Sequence, residues 1–186
     1  MTIWAIVPVK PFRLGKSRLS GVLTDNERVN LNRSLLKQTL EVLSSTSVIS
    51  QTLVISRDPS VLSIARDAGV KTVLEDGNPS LNSALSRAAL LARNYATRGV
   101  LVLPADLPLL TKDDLNEFIQ HISKPPCVVI TPDRHDNGTN ALMMAPAGLI
   151  KYDFGPGSFQ RHCELAINMK ARLEIVRNKN IELDLD

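Results

Sequence analysis

The sequence predicts an α/β fold with a mostly parallel central sheet flanked by helices, and three observations predict it. Apolar runs of strand length alternate with helix-period segments from one end of the chain to the other. The run Val100-Leu101-Val102-Leu103 is apolar at every position, as expected of a strand covered on both faces of a parallel sheet. Helix-start signals follow several of the strand-like runs, including Thr24 with Glu27, Asp58 with Pro59, and Thr111 with Asp114.

The elements follow in order. Residues 3–9 form a first strand with Trp4 in the core. Thr24 and Glu27 make a capping box for a helix to about residue 44, with Val29, Leu35, Leu36, Leu40 and Leu43 along its apolar side. Residues 52–56 form a second strand, and Asp58 caps a helix that begins at Pro59 and closes at Gly69. A short strand at 72–74 leads through a loop at 75–80 to a helix at 81–97, with Leu85, Ala88, Ala89 and Ala92 on one side. The strand at 100–103 precedes a helix at 112–122, and residues 127–131 and 140–145 form two further strands. Ser158 is a candidate cap for a helix to about 169, and residues 171–176 and 181–185 finish the chain in extended form. No repeat or linker divides the sequence, so a single domain over residues 1–186 is expected.

Composition narrows the function classes. A net charge of +3 allows anionic small molecules but is too mild for nucleic acid without a basic stripe, and aromatics are only 4% of the chain. Cys127 and Cys163 lack ligand-like spacing and read as buried free thiols in a reducing cytoplasm. Pro8 and Lys10 break the first apolar run too early for a signal peptide, and no segment is long enough to span a bilayer. The expected location is cytoplasmic, with no membrane partner; monomer and homodimer are both compatible with the surface composition.

Four stretches could carry chemistry. After the first strand, Lys10, Arg13, Lys16 and Arg18 place four cations within nine residues. Ligands of open parallel sheets collect beyond the carboxyl ends of strands, so this loop suits a phosphorylated ligand, although a solvated charge run has the same composition. Gly15-Lys16-Ser17 imitates the tail of a P-loop, but the first glycine of that motif would fall at Lys10. Phosphate would therefore be gripped chiefly by side chains.

The second stretch is Leu103-Pro104-Ala105-Asp106-Leu107-Pro108, which sets Asp106 just past a buried strand. Turn former, cap contributor and metal ligand are all compatible with such an aspartate. In the third, an extended Glu182-Leu183-Asp184-Leu185-Asp186 would put Asp184 and Asp186 on one face about 7 Å apart, suited to magnesium; a frayed acidic tail is the alternative. The fourth joins Asn137-Gly138-Thr139-Asn140 to Phe154-Gly155-Pro156-Gly157-Ser158, a glycine-rich turn before a helix that offers amides to an anion or simply reverses the chain. His121, His135 and His162 have no ligand-spaced partner and are unpromising.

Taken together, Val7-Pro8-Val9-Lys10, Lys16-Ser17-Arg18-Leu19, Leu103-Pro104-Ala105-Asp106-Leu107-Pro108, Gly138-Thr139-Asn140-Ala141-Leu142, Phe154-Gly155-Pro156-Gly157-Ser158-Phe159 and Asp184-Leu185-Asp186 resemble a known family. It is that of the guanylyltransferases of deazaflavin coenzyme biosynthesis, which act on 2-phospho-L-lactate or phosphoenolpyruvate, and the resemblance runs in order along the whole chain. It implies a Rossmann-like nucleotidyltransferase fold of the glycosyltransferase-A type, with GTP as co-substrate and one or two magnesium ions. It implies that Lys10, Lys16 and Asp106 are catalytic, and that Lys10 also meets the acceptor. Lys16, Arg18, Asn82, Pro104 and Ala105 would bind GTP; Thr139, Gly155 and Ser158 would bind the acceptor; Asp106, Asp184 and Asp186 would hold the metal. Ser80 stands where the family usually has glycine before the Asn82 segment. Two other readings remain beside this one. One is a related transferase acting on 3-phosphoglycerate, a sugar phosphate or molybdopterin; the other is a non-catalytic nucleotide-binding module.

Overall fold

Seven strands in the order β3-β2-β1-β4-β6-β5-β7 make one sheet in a computed structural model that describes residues 2–76, 80–95, 97–122 and 124–185. The strands are β1 (Ile3–Pro8), β2 (Ile49–Ser56), β3 (Lys71–Leu74), β4 (Gly99–Val102), β5 (Cys127–Pro132), β6 (Thr139–Ala145) and β7 (Arg172–Ile175). The helices are α1 (Asp25–Ser45), α2 (Pro59–Asp67), α3 (Leu81–Asn94), α4 (Lys112–Gln120), α5 (Ser158–Asn168) and the single turn α6 (Lys179–Glu182).

Side-chain alternation along the central strands builds a core on each face. Ile3, Ala5, Val7, Leu101 and Leu103 pack with Leu36, Leu40 and Leu43 of α1, Val61 and Ala65 of α2, and Leu115 and Phe118 of α4. Trp4, Ile6, Val100 and Val102 pack on the other side with Leu85, Ala88 and Ala92 of α3 and Ala166 of α5. Every residue of β4 is buried, as its unbroken apolar run requires.

β6 departs from the parallel pattern, running antiparallel to both β4 and β5. Its first residue, Thr139, pairs with Pro132 at the end of β5. The start of β6 therefore lies on the same sheet edge as the carboxyl ends of β1, β4, β5 and β7. This inversion brings Thr139 and Asn140 beside the loops that follow β1 and β4.

The local signals mostly produce the expected ends. Capping boxes form at Thr24–Glu27 and Thr111–Asp114, Asp58 accepts from the Ser60 amide, and Gly69 takes a left-handed φ of 73° just past α2. Other ends differ. α3 stops at Asn94 and α4 at Gln120, each short of the apolar pattern that suggested a longer helix. Residues 77–79 of the expected loop at 75–80 lie outside the described residues.

Ser158 does not cap α5. Gly157 occupies that position with a φ of 73°, and Ser158 is the first helical residue. The expected extended stretch at 181–185 is corrected at its start: Ile181 and Glu182 lie in the helical turn α6, which Asn178 caps by accepting from the Asn180 and Ile181 amides, and Leu183 returns to extended backbone. Cys127 is buried, whereas Cys163 is only half-buried. Among the described residues, no helix is long and apolar enough to cross a membrane.

Candidate active site at the carboxyl edge of the sheet

The loop after β1 is held from beneath by two helices. Phe12 is buried in the core, its amide donates to Asp58 Oδ2 at 3.0 Å, and its carbonyl accepts from Asn32 Nδ2 at 2.9 Å. A turn closes when the Gly15 amide donates to the Pro11 carbonyl at 3.1 Å. Gly15 fits because a Cβ there would stand 2.6 Å from Asn32 Nδ2. Lys16 follows with a left-handed φ of 58° and opens a 3-10 turn, Ser17–Gly21. That backbone costs an L-residue about 1–2 kcal/mol, and it coincides with the lysine that turns inward.

Lys16 Nζ donates to Asp106 Oδ2 at 2.7 Å, with only 5% of the lysine side chain exposed. Two sequence motifs 90 residues apart thus meet through their charged groups. Lys10 and Arg18 are exposed, and with Leu14, Lys16 and Ser17 they line a cavity of about 200 Å³. A basic concavity of that size suits phosphate groups. Pro104, Ala105 and Asp106 are half-exposed between buried Leu103 and Leu107, which pin the segment to the core at both ends.

The C-terminal tail closes over the same place. The Leu185 amide donates to the Asp106 carbonyl at 3.0 Å, so tail and Asp106 lie backbone against backbone. Asn140 Nδ2 holds the tail by donating to the carbonyls of Ile181 at 2.9 Å and Glu182 at 3.0 Å, and it lies 3.4 Å from Asp184 Oδ1. Asp114 anchors it from below, accepting from Asn178 Nδ2 at 2.9 Å and from Asn180 Nδ2 at 3.0 Å. These bonds and those from Thr111 hold the Asp114 carboxyl below the usual carboxylate range, against the opposing and largest influence of burial.

Asp106 and Asp184 offer hard carboxylate oxygens of the kind magnesium takes, and Asp184 Oδ1 lies 3.4 Å from Asn140 Nδ2. The donor set fits such an ion. Among the described residues no group of three or more acidic, histidine or cysteine side chains gathers as a complete metal cluster. Asp186, the third expected ligand, lies outside the described residues.

The third wall is built from the start of β6 and the turn before α5. Thr139 Oγ1 sits 3.0 Å from His162 Nδ1 and accepts from Ser158 Oγ at 3.1 Å. His162 Nε2 accepts from the Asp153 amide at 3.0 Å. Asn137 receives the Gly157 amide at 2.9 Å, and Arg161 clamps the turn by donating to the Pro156 and Asp153 carbonyls. Gly155, at φ 131°, and Gly157 both need backbone that side chains disfavour. Asp133 rounds the preceding loop by accepting from the His135, Asn137 and Gly138 amides, which together hold its carboxyl below the usual range despite burial.

The expected residues therefore fall into three groups. Lys16 meets Asp106; Thr139 meets Ser158; Asp184 meets Asn140, the neighbour of Thr139 on β6. Asn82 instead spends its amide on Phe154, accepting from its N–H at 2.8 Å and donating to its carbonyl at 3.3 Å. Its visible work is to fix the turn that carries Gly155. Sequence reasoning gave no site role to His162, Asn140, Asp114 or Asn32. Asp114 was read only as a helix-cap residue and Asn140 only as part of a motif, since their bonds to the tail are long-range; His162 was set aside for lack of a ligand-spaced partner, when its partners are a hydroxyl and an amide. A larger cavity of about 460 Å³ lies between the C-terminal halves of α1 and α2, towards the opposite sheet edge and away from these groups.

Comparison with known proteins finds relatives along the whole chain. Residues 3–186 match the family described as "Guanylyl transferase CofC like". A phosphoenolpyruvate guanylyltransferase of Rubrobacter xylanophilus is 37% identical over 186 residues, all of this chain and 90% of the relative. A 2-phospho-L-lactate guanylyltransferase of Methanobrevibacter smithii is 33% identical over 164 residues, 88% of this chain and 70% of the relative. Among solved structures, a 4-diphosphocytidyl-2C-methyl-D-erythritol synthase superposes with a TM-score of 0.66 at 13% identity, over all of this chain and 94% of that one. The last likeness speaks to the fold, a nucleotidyltransferase sheet of the glycosyltransferase-A type.

Proposed function

The chain belongs to the CofC-like guanylyl transferase family, and from that premise we propose that it joins the GMP moiety of GTP to a small phospho-carboxylic acid. Phosphoenolpyruvate is the favoured acceptor, supported by the name of the full-length Rubrobacter relative; 2-phospho-L-lactate is the second candidate. The observation that carries this reading is the 2.7 Å contact between Lys16 and Asp106, with the tail bearing Asp184 laid against Asp106. A cationic half and an acidic half meet there, as two polyanionic substrates require.

An oxygen of the acceptor phosphate attacks the α-phosphorus of GTP; the bond to the bridging oxygen breaks, and pyrophosphate leaves. The acceptor phosphate has a second pKa near ~6 and is largely ionised at neutral pH, so the nucleophile needs no protein base. The protein's task is positioning and charge neutralisation. Lys10, Lys16 and Arg18 are assigned to phosphate oxygens, with Lys10 also meeting the acceptor. Pro104 and Ala105 present the backbone beside the nucleotide, and Asn82 acts through the turn it fixes. Thr139, Gly155 and Ser158 are assigned to the acceptor's phosphate and carboxylate. Asp106 and Asp184, with Asp186, are assigned to magnesium, which when bound supplies charge neutralisation at phosphate oxygens.

The test is pyrophosphate release with GTP, CTP or ATP against phosphoenolpyruvate, 2-phospho-L-lactate and 3-phosphoglycerate, with and without magnesium. Release with GTP and phosphoenolpyruvate, dependent on magnesium, is expected. Preference for CTP, or no release with any pair, contradicts the proposal.

A further inference from the structure

We infer that His162 is a positioning residue that fixes the direction of a hydroxyl proton toward the acceptor. The inference rests on the assignment of Thr139 and Ser158 to that acceptor and deepens it. One hydrogen bond at the ring has only one possible polarity. A backbone amide can only donate, so His162 Nε2, 3.0 Å from the Asp153 amide, carries no proton. The neutral ring then carries its proton on Nδ1, which donates to Thr139 Oγ1 at 3.0 Å. His162 is fully buried, and burial holds its pKa down to about 4, with Asp153 opposing and Arg161 reinforcing, so the ring stays neutral at working pH.

The cluster holds the Nδ1 proton and two hydroxyl protons, from Thr139 and Ser158. The contact with Thr139 uses the first, and the 3.1 Å contact between the hydroxyls uses one more. One hydroxyl proton is left over, and no acceptor for it is found among the described residues. Thr139 is 8% exposed and Ser158 1%, so water is largely excluded from the pair. A buried surplus donor calls for an acceptor-only partner, and an ionised phosphate or carboxylate oxygen is such a partner. Were the ring proton on Nε2, it would oppose the Asp153 amide, and the two hydroxyls could satisfy each other and Nδ1 without reaching outward. The tautomer therefore decides whether the pair faces an anion as donor.

Two substitutions separate the ring's two nitrogens. In His162→Gln the side-chain oxygen can still accept from the Asp153 amide but offers nothing at the Nδ1 position; in His162→Asn the amide nitrogen stands near Nδ1 and keeps the donor. His162→Gln is expected to raise the KM for phosphoenolpyruvate about ten- to a hundredfold, leave the KM for GTP within about twofold, and be rescued largely by His162→Asn. Equal loss toward both substrates, or identical behaviour of the two variants, overturns the inference. Should both variants fail to fold, Thr139→Val against Thr139→Ser asks the same question of the hydroxyl, with only the valine variant expected to raise the acceptor KM. Nitrogen-15 NMR of the wild-type ring gives a reading independent of turnover: an Nδ1–H tautomer is expected, and an Nε2–H tautomer overturns the inference even in an active enzyme. Wild-type protein inactive toward every phospho-acid would instead sink the functional proposal, leaving the tautomer to be judged by NMR.

Discussion

Asp106 is the residue on which the two halves of the site converge. It accepts from Lys16 through its carboxylate and from Leu185 through its carbonyl. Asp106→Asn keeps the shape and the backbone contact while removing the charge, so it should lower turnover by about 10²–10³-fold with a nearly unchanged melting temperature. Pyrophosphate release and a thermal melt on one preparation check this; a large drop in melting temperature with retained activity would make Asp106 structural. His162 makes a second prediction at this scale. Its folded-state pKa of about 4 lies below the ordinary value of 6.5, so the unfolded chain takes up the proton first. The stability gained by burying the neutral ring is complete above about pH 6.5 and is lost as pH falls towards 4, by roughly 3 kcal/mol in all. Denaturant melts between pH 7 and pH 4.5 should show this slope in the wild type and a shallower one in His162→Asn, since carboxylates contribute equally to both. The sequence could single out Asp106, Lys16 and Thr139 because motif and resemblance point at them. It could not single out His162, whose significance lies in which nitrogen meets a backbone amide 9 residues away.

At the scale of the element, local chemistry was the most legible part of the chain. Both capping boxes, the Asp58–Pro59 start and the Gly69 stop depend on neighbouring residues, and each forms as read. The direction of β6 was not legible, since a fully buried strand has the same apolar pattern whichever way it runs. The start of the C-terminal tail was misread for a different reason: Asn178 caps residues 179–182 into the helical turn α6, and Asp114 fixes Asn178 from 64 residues away, while the alternating Leu183 and Asp184 lie beyond that turn. Asp114 therefore serves two elements at once, the start of α4 and the tail. Asp114→Ala should cost about 1–3 kcal/mol and raise the magnesium concentration needed for half-maximal turnover, because it loosens the segment carrying Asp184. Thr111→Ala removes the cap and the hydroxyl's bond to the Asp114 carboxylate but leaves the bonds from Asn178 and Asn180, so it should cost about 1 kcal/mol and leave the magnesium dependence unchanged. Chemical denaturation and a magnesium titration of both variants distinguish a tail anchor from a cap.

For the molecule as a whole, alternation of strand and helix was enough to read the sheet and the helices on its two faces. What alternation cannot convey is which loops share an edge. Here the inverted β6 gathers Thr139 and Asn140 with the loops after β1 and β4, and Asn140 ties the tail to the same edge. Positive charge, two aspartates and a buried hydroxyl pair then gather at one edge of the sheet, although they come from the beginning, middle and end of the chain. On the proposed reading this edge links two phosphates rather than hydrolysing one. Phosphorus NMR of the protein incubated with GTP, phosphoenolpyruvate and magnesium tests it most directly. Coupled resonances of a new unsymmetrical diphosphate are expected alongside pyrophosphate, both lost in Asp106→Asn. Unchanged GTP, or GDP and inorganic phosphate in their place, would contradict it.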